Sequence, residues 1–221
     1  MSPAPAPAPE SVALFDLDGT LADFDLAMRA GMAKLAGPGD PPWDSGMHKE
    51  DEEPEYITAR RRLIKAQPGF WRDLPRLEDG FKILKMAREL GYRPMILSRG
   101  PRRQCAAWSE KLEWCRKHLP DIAVTLTEDK GLVYGAVLVD DWPPYIERWL
   151  TWRQRGLVIM PSRKWNLEFN HPQVKHYVMG KTDKEIRQAL QLRMKLHRTS
   201  SYGRSSEADA LDHLSESDHK P

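Results

Sequence analysis

The sequence predicts an α/β fold: a mostly parallel sheet with helices between its strands, and a small helical cap inserted after the first strand. Three observations predict it. Short apolar runs alternate with segments of helical periodicity along most of the 221 residues, the pattern of a parallel sheet. Polar residues fall at the ends of several of those runs, the edge where open α/β sheets take ligands. The alternation is interrupted over residues 25–70, where polar and helical sequence replaces it.

In order, Val12 to Phe15 is a short apolar run ending at a polar turn and reads as a buried strand. Leu26 to Leu35 reads as a helix, stopped by Gly37-Pro38-Gly39. Asp40 to Glu53 reads as loop. A second helix is predicted from near Pro54, with acidic residues 50–53 at its positive end and Arg60-Arg61-Arg62 and Lys65 at its negative end. From Glu78, the residues Ile83, Leu84, Ala87 and Leu90 repeat at helical spacing, and Gly91 follows as a stop. Pro94 to Leu97 reads as a strand, Gln104 to Leu119 as a helix, and Val124 to Thr127 and Val137 to Val139 as strands. Leu157 to Met160 and Val174 to Val178 read as two more. Thr182 to Glu185 fits a capping box, and Ile186, Ala189 and Leu190 give that last helix an apolar face. The expected organisation is a core over 11–24 and 71–180, a cap over 25–70 and a C-terminal helix over 181–198. Disordered tails are expected over 1–10, which alternates Pro with Ala, and over 199–221, which is rich in Ser, Asp, Glu and His.

Composition narrows the class. Apolar residues make up 40% of the chain, enough for a core, and no run of 18 apolar residues predicts a membrane helix. The formal charge is only +2, which argues against a dedicated nucleic-acid binder. Cys105 and Cys115 fall ten residues apart on one predicted helix, about 15 Å along its axis and too far for a disulfide. Reduced cysteines point to a cytoplasmic protein.

The chemistry lies in four polar points. Asp16 and Asp18 follow the first strand in Phe15-Asp16-Leu17-Asp18-Gly19-Thr20. A carboxylate can attack phosphorus and carry the phosphoryl group. A second carboxyl group two residues on can protonate the leaving oxygen and then activate water. Ser98 ends the run Met95-Ile96-Leu97 and offers a hydroxyl to a phosphate oxygen. Lys130 offers a charge to neutralise it. Asp140-Asp141 ends the run Ala136 to Val139 as two adjacent carboxylates, whose repulsion a bound cation relieves. Mg²⁺ is the natural ion for such oxygen ligands beside a phosphate.

With these four points in order, the chain resembles the haloacid dehalogenase superfamily. More narrowly it resembles the 5′(3′)-deoxyribonucleotidases. Three segments carry that resemblance: Asp16-Leu17-Asp18-Gly19-Thr20-Leu21-Ala22-Asp23-Phe24; Glu110-Lys111-Leu112-Glu113-Trp114 with His118-Leu119; and Leu126-Thr127-Glu128-Asp129-Lys130 followed by Leu138-Val139-Asp140-Asp141. It covers about residues 12 to 170. The resemblance implies a Rossmann-like core, Mg²⁺, and hydrolysis of nucleoside monophosphates. It implies Asp16 as nucleophile and metal ligand, and Asp18 as acid/base that binds metal through its backbone carbonyl. It also implies Ser98 and Lys130 at the phosphate; Arg99, beside Ser98 and outside the family pattern, adds positive charge on the phosphate side. Asp140 and Asp141 would complete the metal site, with Asp141 preferred as the direct ligand and the choice between the two left open. Phe24 matches an aromatic that packs on the nucleobase. Members often dimerise, so a homodimer stays open. Two departures are Leu97-Ser98-Arg99-Gly100-Pro101 in place of Thr-Ser-Pro, and Trp142-Pro143 in place of a basic residue after the acidic pair. The added Arg99, Arg102 and Arg103 leave a phosphatase of nucleic-acid 3′ ends as an alternative. A sugar-phosphate phosphatase and a non-catalytic binding protein rank below it.

Overall fold

The computed structural model describes residues 11–45 and 53–197. The expected tails therefore lie outside the described residues, as do residues 50–52 of the predicted acidic lead-in. Six strands form one parallel sheet: β1 (Val12–Phe15), β2 (Arg93–Arg99), β3 (Ala123–Thr127), β4 (Val137–Val139), β5 (Leu157–Pro161) and β6 (Val174–Tyr177). Their order is β3-β2-β1-β4-β5-β6. The chain thus builds outward from β1 on one side, then returns to build outward on the other. Phe15 pairs with Ile96 on one flank and with Val139 on the other. The reversal falls between β1 and β4, and the crevice at the carboxyl ends of such a strand pair is where ligands bind in this architecture.

Both faces of the sheet are covered, which is why β1, β4 and β5 are wholly apolar. Ala13 and Phe15 of β1 and Val137 and Val139 of β4 point to one face. There they meet α3 (Glu78–Glu89), α4 (Cys105–His118) and a helix, α6, over residues 183–197. Leu14, Leu97 and Leu138 point to the other face and meet α5 (Pro143–Leu150) through Ile146, Trp149 and Leu150. Helix α5 is not apparent from apolar spacing, because its eight residues open with two prolines. Those prolines suit the first turn, where no backbone N–H is needed. Cys105 opens α4 and Cys115 lies buried on it, both as free thiols.

Between β1 and α3 the chain forms α1 (Phe24–Lys34) and α2 (Glu55–Lys65). The side chain of Asp23 accepts the N–H of Leu26, so α1 starts at Phe24, ahead of Leu26 where the apolar spacing begins. The two helices share a small cluster of their own, Met28, Met32, Ile57 and Ile64. Arg61 pairs with Glu53, and Arg60 with Asp40. At α6 the hydroxyl of Thr182 takes the N–H of Val178 rather than one in its own first turn. Among the described residues no helix is long and apolar enough to cross a membrane.

His197 ties the end of α6 to the sheet. Its Nδ1 lies 3.0 Å from Ser11 Oγ and its Nε2 3.0 Å from the Tyr134 hydroxyl. Burial, and then the Arg193 guanidinium, hold this imidazole below its usual range. A ring that stays neutral in the fold contributes stability above the unfolded pKa of about 6.5, and that stability is lost as pH falls. The wild type is expected to lose more thermal stability than His197→Gln between about pH 7.5 and pH 5.5. Equal losses in the two proteins, compared by calorimetry, would remove His197 from this account.

Candidate active site

Asp16 follows β1 directly, and its backbone N–H donates to the Val139 carbonyl of β4 at 2.8 Å. Asp140 follows β4 in the same way. Parallel pairing of β1 with β4 therefore brings the two carboxylates together. With Asp141 they form a buried triad in which one carboxylate oxygen from each residue lies within 4.8 Å of the others. Ser98 is within β2 rather than beyond it, because β2 runs two residues past Leu97 to pair Arg99 with Thr127. It still reaches the same edge and is fully buried.

Lys130 stands on a single turn of 3₁₀ helix after β3, with its ammonium inside the protein. Its Nζ lies 2.5 Å from Asp16 Oδ1 and 2.7 Å from Asp140 Oδ2. Burial disfavours the charged ammonium, but Asp140 and Asp16 together outweigh it and hold the lysine above its usual range. The second oxygen of Asp140 accepts the Trp142 N–H at 2.9 Å. Burial raises the Asp140 carboxyl to about 7, with Lys130 opposing and Asp16 adding to the rise. Burial, followed by repulsion from Asp140 and Asp16, holds Asp141 well above the usual carboxylate range. Its oxygens are met by neutral donors, Thr20 Oγ1 at 3.1 Å and Trp165 Nε1 at 3.0 Å.

The turn after Asp16 places Gly19 at a φ of +78°, the left-handed region that glycine enters without steric cost. A Cβ there would meet Asp141 Oδ2 at 2.4 Å. This glycine is thus required twice, by the turn and by the approach of the acidic pair. Behind the turn, a Cβ on Gly80 of α3 would meet the Thr20 carbonyl oxygen at 1.9 Å, so α3 packs against the turn at backbone distance.

Asp18 forms an ion pair with Lys111 of α4. Lys111 is 1% exposed. Its ammonium also donates to the Arg99 carbonyl at 2.7 Å, touches Ser98 Oγ at 3.4 Å and lies 4.6 Å from the centre of the Trp71 ring. Burial lifts the Asp18 carboxyl, Lys111 pulls it down, and Asp16 adds to the rise. Asp18 Oδ1 is buried with no hydrogen-bond partner among the described residues.

The remaining predicted residues lie around this centre. The Arg99 side chain donates to the Tyr145 hydroxyl of α5 at 2.9 Å, and the same ring has the Lys130 ammonium 4.9 Å from its centre. Arg102 pairs with Glu128. Phe24 is half-buried, stacked on Trp71 at 5.5 Å and edge-on to Phe70 at 5.8 Å. Glu110, next to Lys111, accepts the backbone N–H groups of Gly69 and Trp71 and holds this aromatic wall to α4.

Three of these residues do not appear in the reading of the chemistry from sequence: Lys111, Tyr145 and Trp165. For Lys111 a signal exists. Ala107, Lys111, Trp114 and Cys115 share the buried face of α4, so this lysine occupies an apolar position of the helical repeat.

The donors of the triad are all carboxylate oxygens, the set that Mg²⁺ prefers. The orphaned oxygen of Asp18 and the carboxylate of Asp141, met only by neutral donors, are further places where positive charge is wanted. The residues present fit a divalent cation.

Residues 10–177 match the model of the family described as 5′ nucleotidase, deoxy (pyrimidine), cytosolic type C protein. A protein of Bordetella bronchiseptica named "Putative 5′(3′)-deoxyribonucleotidase" is 35% identical over 140 residues, 59% of this chain and 73% of that one. A Bordetella pertussis protein of the same name matches over the same shares. Among solved structures, a haloacid dehalogenase-like family hydrolase from Xanthomonas campestris superposes with a TM-score of 0.50 over 89% of this chain and 94% of that one. Its identity is 12%, so that likeness is one of fold. The chain belongs to the cytosolic type C 5′ nucleotidase family and is a phosphoric monoester hydrolase that acts as a phosphatase on nucleotides.

Proposed function

We propose that this hydrolase cleaves (deoxy)nucleoside 5′-monophosphates to nucleoside and phosphate, with Mg²⁺ bound and through an aspartyl-phosphate on Asp16. The observation that carries the reading is the buried lysine between Asp16 and Asp140. A nucleophilic carboxylate and a phosphate dianion repel, and an ammonium fixed beside the carboxylate offsets that repulsion before substrate arrives.

Asp16 attacks phosphorus through one carboxylate oxygen while Lys130 screens its charge. Asp18 protonates the departing ribose oxygen, then takes a proton from the water that cleaves the acyl phosphate. Lys111 orients Asp18 from the far side. Ser98, with Arg99 beside it, donates to the phosphate oxygens. Asp16, the Asp18 carbonyl and Asp141 would hold Mg²⁺, with Asp140 fixed next to them by Lys130. When bound, the ion supplies charge neutralisation at the phosphoryl oxygens.

Helices α1 and α2 act as a cap over the crevice, and Phe24, within its aromatic cluster, forms the side that takes the nucleobase. Base stacking of this kind contributes roughly 1–3 kcal/mol. Arg99 and Arg102 are engaged by Tyr145 and Glu128, which weighs against a dedicated site for a second phosphate. The absence of a disulfide demand on Cys105 and Cys115 suits a reducing, cytoplasmic setting.

The test is phosphate release from the common ribo- and deoxyribonucleoside 5′-monophosphates, with and without Mg²⁺. Nucleoside 3′-monophosphates, a 3′-phosphorylated oligonucleotide and a sugar phosphate complete the panel. Mg²⁺-dependent turnover that is highest on 5′-mononucleotides is expected. Preference for the oligonucleotide or the sugar phosphate would overturn the substrate assignment.

A further inference from the structure

Asp141 differs from its neighbours in how it is held. Asp16 and Asp140 share the Lys130 ammonium. Asp141 is gripped by three uncharged donors. Thr20 reaches Oδ1, the Trp165 indole N–H reaches Oδ2 at 3.0 Å, and Asn166 Nδ2 reaches its backbone carbonyl at 2.8 Å.

Two of the three come from one short loop, residues 162–166, between β5 and β6. That loop is itself anchored. The Ser162 N–H donates to the Tyr177 carbonyl of β6 at 2.9 Å. Asn166 is 1% exposed; its Nδ2 also donates to the Pro161 carbonyl at 3.0 Å, and its Oδ1 accepts the Arg163 N–H at 2.8 Å. Arg163 crosses to the nucleophile turn, donating to the Gly19 carbonyl at 2.9 Å and to both oxygens of Asp79 at 2.6 and 3.1 Å. A single loop therefore fixes Asp141 and braces the turn that carries Asp16 and Asp18.

The choice of side chain at 165 has a chemical reason. A carboxylate has about four lone-pair positions, and the two donors use two of them. An indole N–H only donates. It orients Oδ2 without offering a lone pair that would compete for a cation, as an imidazole or an amide would. Phenylalanine keeps an aromatic ring at this position, though a smaller one, and leaves Oδ2 without its donor.

The geometry points to Trp165 as a positioning residue of the metal site, whose indole N–H sets the orientation of Asp141 so that its free lone pairs face a divalent cation. This rests on the Mg²⁺ reading above. Partners that orient a metal ligand in this way change affinity by about 10–100-fold when removed.

The experiment is calorimetric titration of Mg²⁺ into the full chain, without substrate, for the wild type and Trp165→Phe. Mg²⁺ affinity about 10–100-fold weaker in the variant is expected, with the melting temperature in EDTA unchanged. Affinity equal to the wild type's overturns the inference. A measurement on the unmodified chain does not depend on the variant folding: the Trp165 indole N–H resonance, followed by ¹⁵N NMR, should move when Mg²⁺ is added. A resonance that stays in place while Mg²⁺ binds overturns the inference equally. A wild type that takes up no Mg²⁺ is a different result, one that removes the Mg²⁺ reading together with it.

Discussion

Asp16→Asn lowers kcat for phosphate release by at least ~10³-fold, because the amide is neither a nucleophile toward phosphorus nor an anion. The side chain keeps its size, so the turn after β1 and its backbone bond to Val139 remain. The loss should fall on kcat and leave the folded chain intact by circular dichroism. A second readout follows the bond itself. Borohydride reduces an acyl phosphate to an alcohol, so wild type quenched during turnover should yield homoserine at position 16 by mass spectrometry, and Asp16→Asn should not. Turnover in the variant equal to the wild type's would sink the assignment.

Lys130→Met is the variant with the largest expected effect on stability. It removes the one ammonium that Asp16 and Asp140 share, in a place where the lysine is 2% exposed and Asp140 fully buried. Breaking a buried ion pair from one side costs about 3–5 kcal/mol, because the remaining charge has neither partner nor water. The deficit should depend on pH with a definite sign. A carboxyl raised in the fold, as Asp140 is to about 7, favours the fold when protonated and opposes it when ionised. The gap between variant and wild type should therefore widen as pH rises from about 5 to 8. Urea unfolding at several pH values measures it, and a gap independent of pH would show that the loss is one of packing.

Much of this arrangement is legible in the sequence because it is local. Val12–Phe15 and Val137–Val139 are strands at the bounds their apolar runs suggest, and Asp16 and Asp140 follow them as the first polar residues. The order of the motifs then suffices to bring the acidic residues to one sheet edge. What sequence conceals is long-range or runs against habit. Lysine is a surface residue by default, so Lys111 draws no chemical role from sequence although its spacing places it among Ala107, Trp114 and Cys115. Trp165 and Arg163 sit in an irregular loop, where no periodicity says which way a side chain turns, and their partners Asp141 and Gly19 lie far back along the chain. Helix α5 is short, and its prolines argue against a helix to anyone who does not place them in its first turn. Phe24 shows a further limit. Its position near the nucleophile is visible in the sequence, while its engagement with Phe70 and Trp71 is a matter of tertiary packing.

The order of the strands also says when during synthesis the protein can first work. The pair at the centre of the sheet, β1 and β4, joins segments separated by two strands and several helices, and such non-local pairing forms slowly. Until β4 has emerged and docked, Asp16 lacks Asp140 beside it. A nascent chain that ends just after α5 already contains Asp16, Asp140 and Asp141, yet lacks the residues that grip Asp141 from beyond β5. Catalytic competence should therefore arrive late, with β5 and the loop after it, well after the nucleophile itself has left the ribosome.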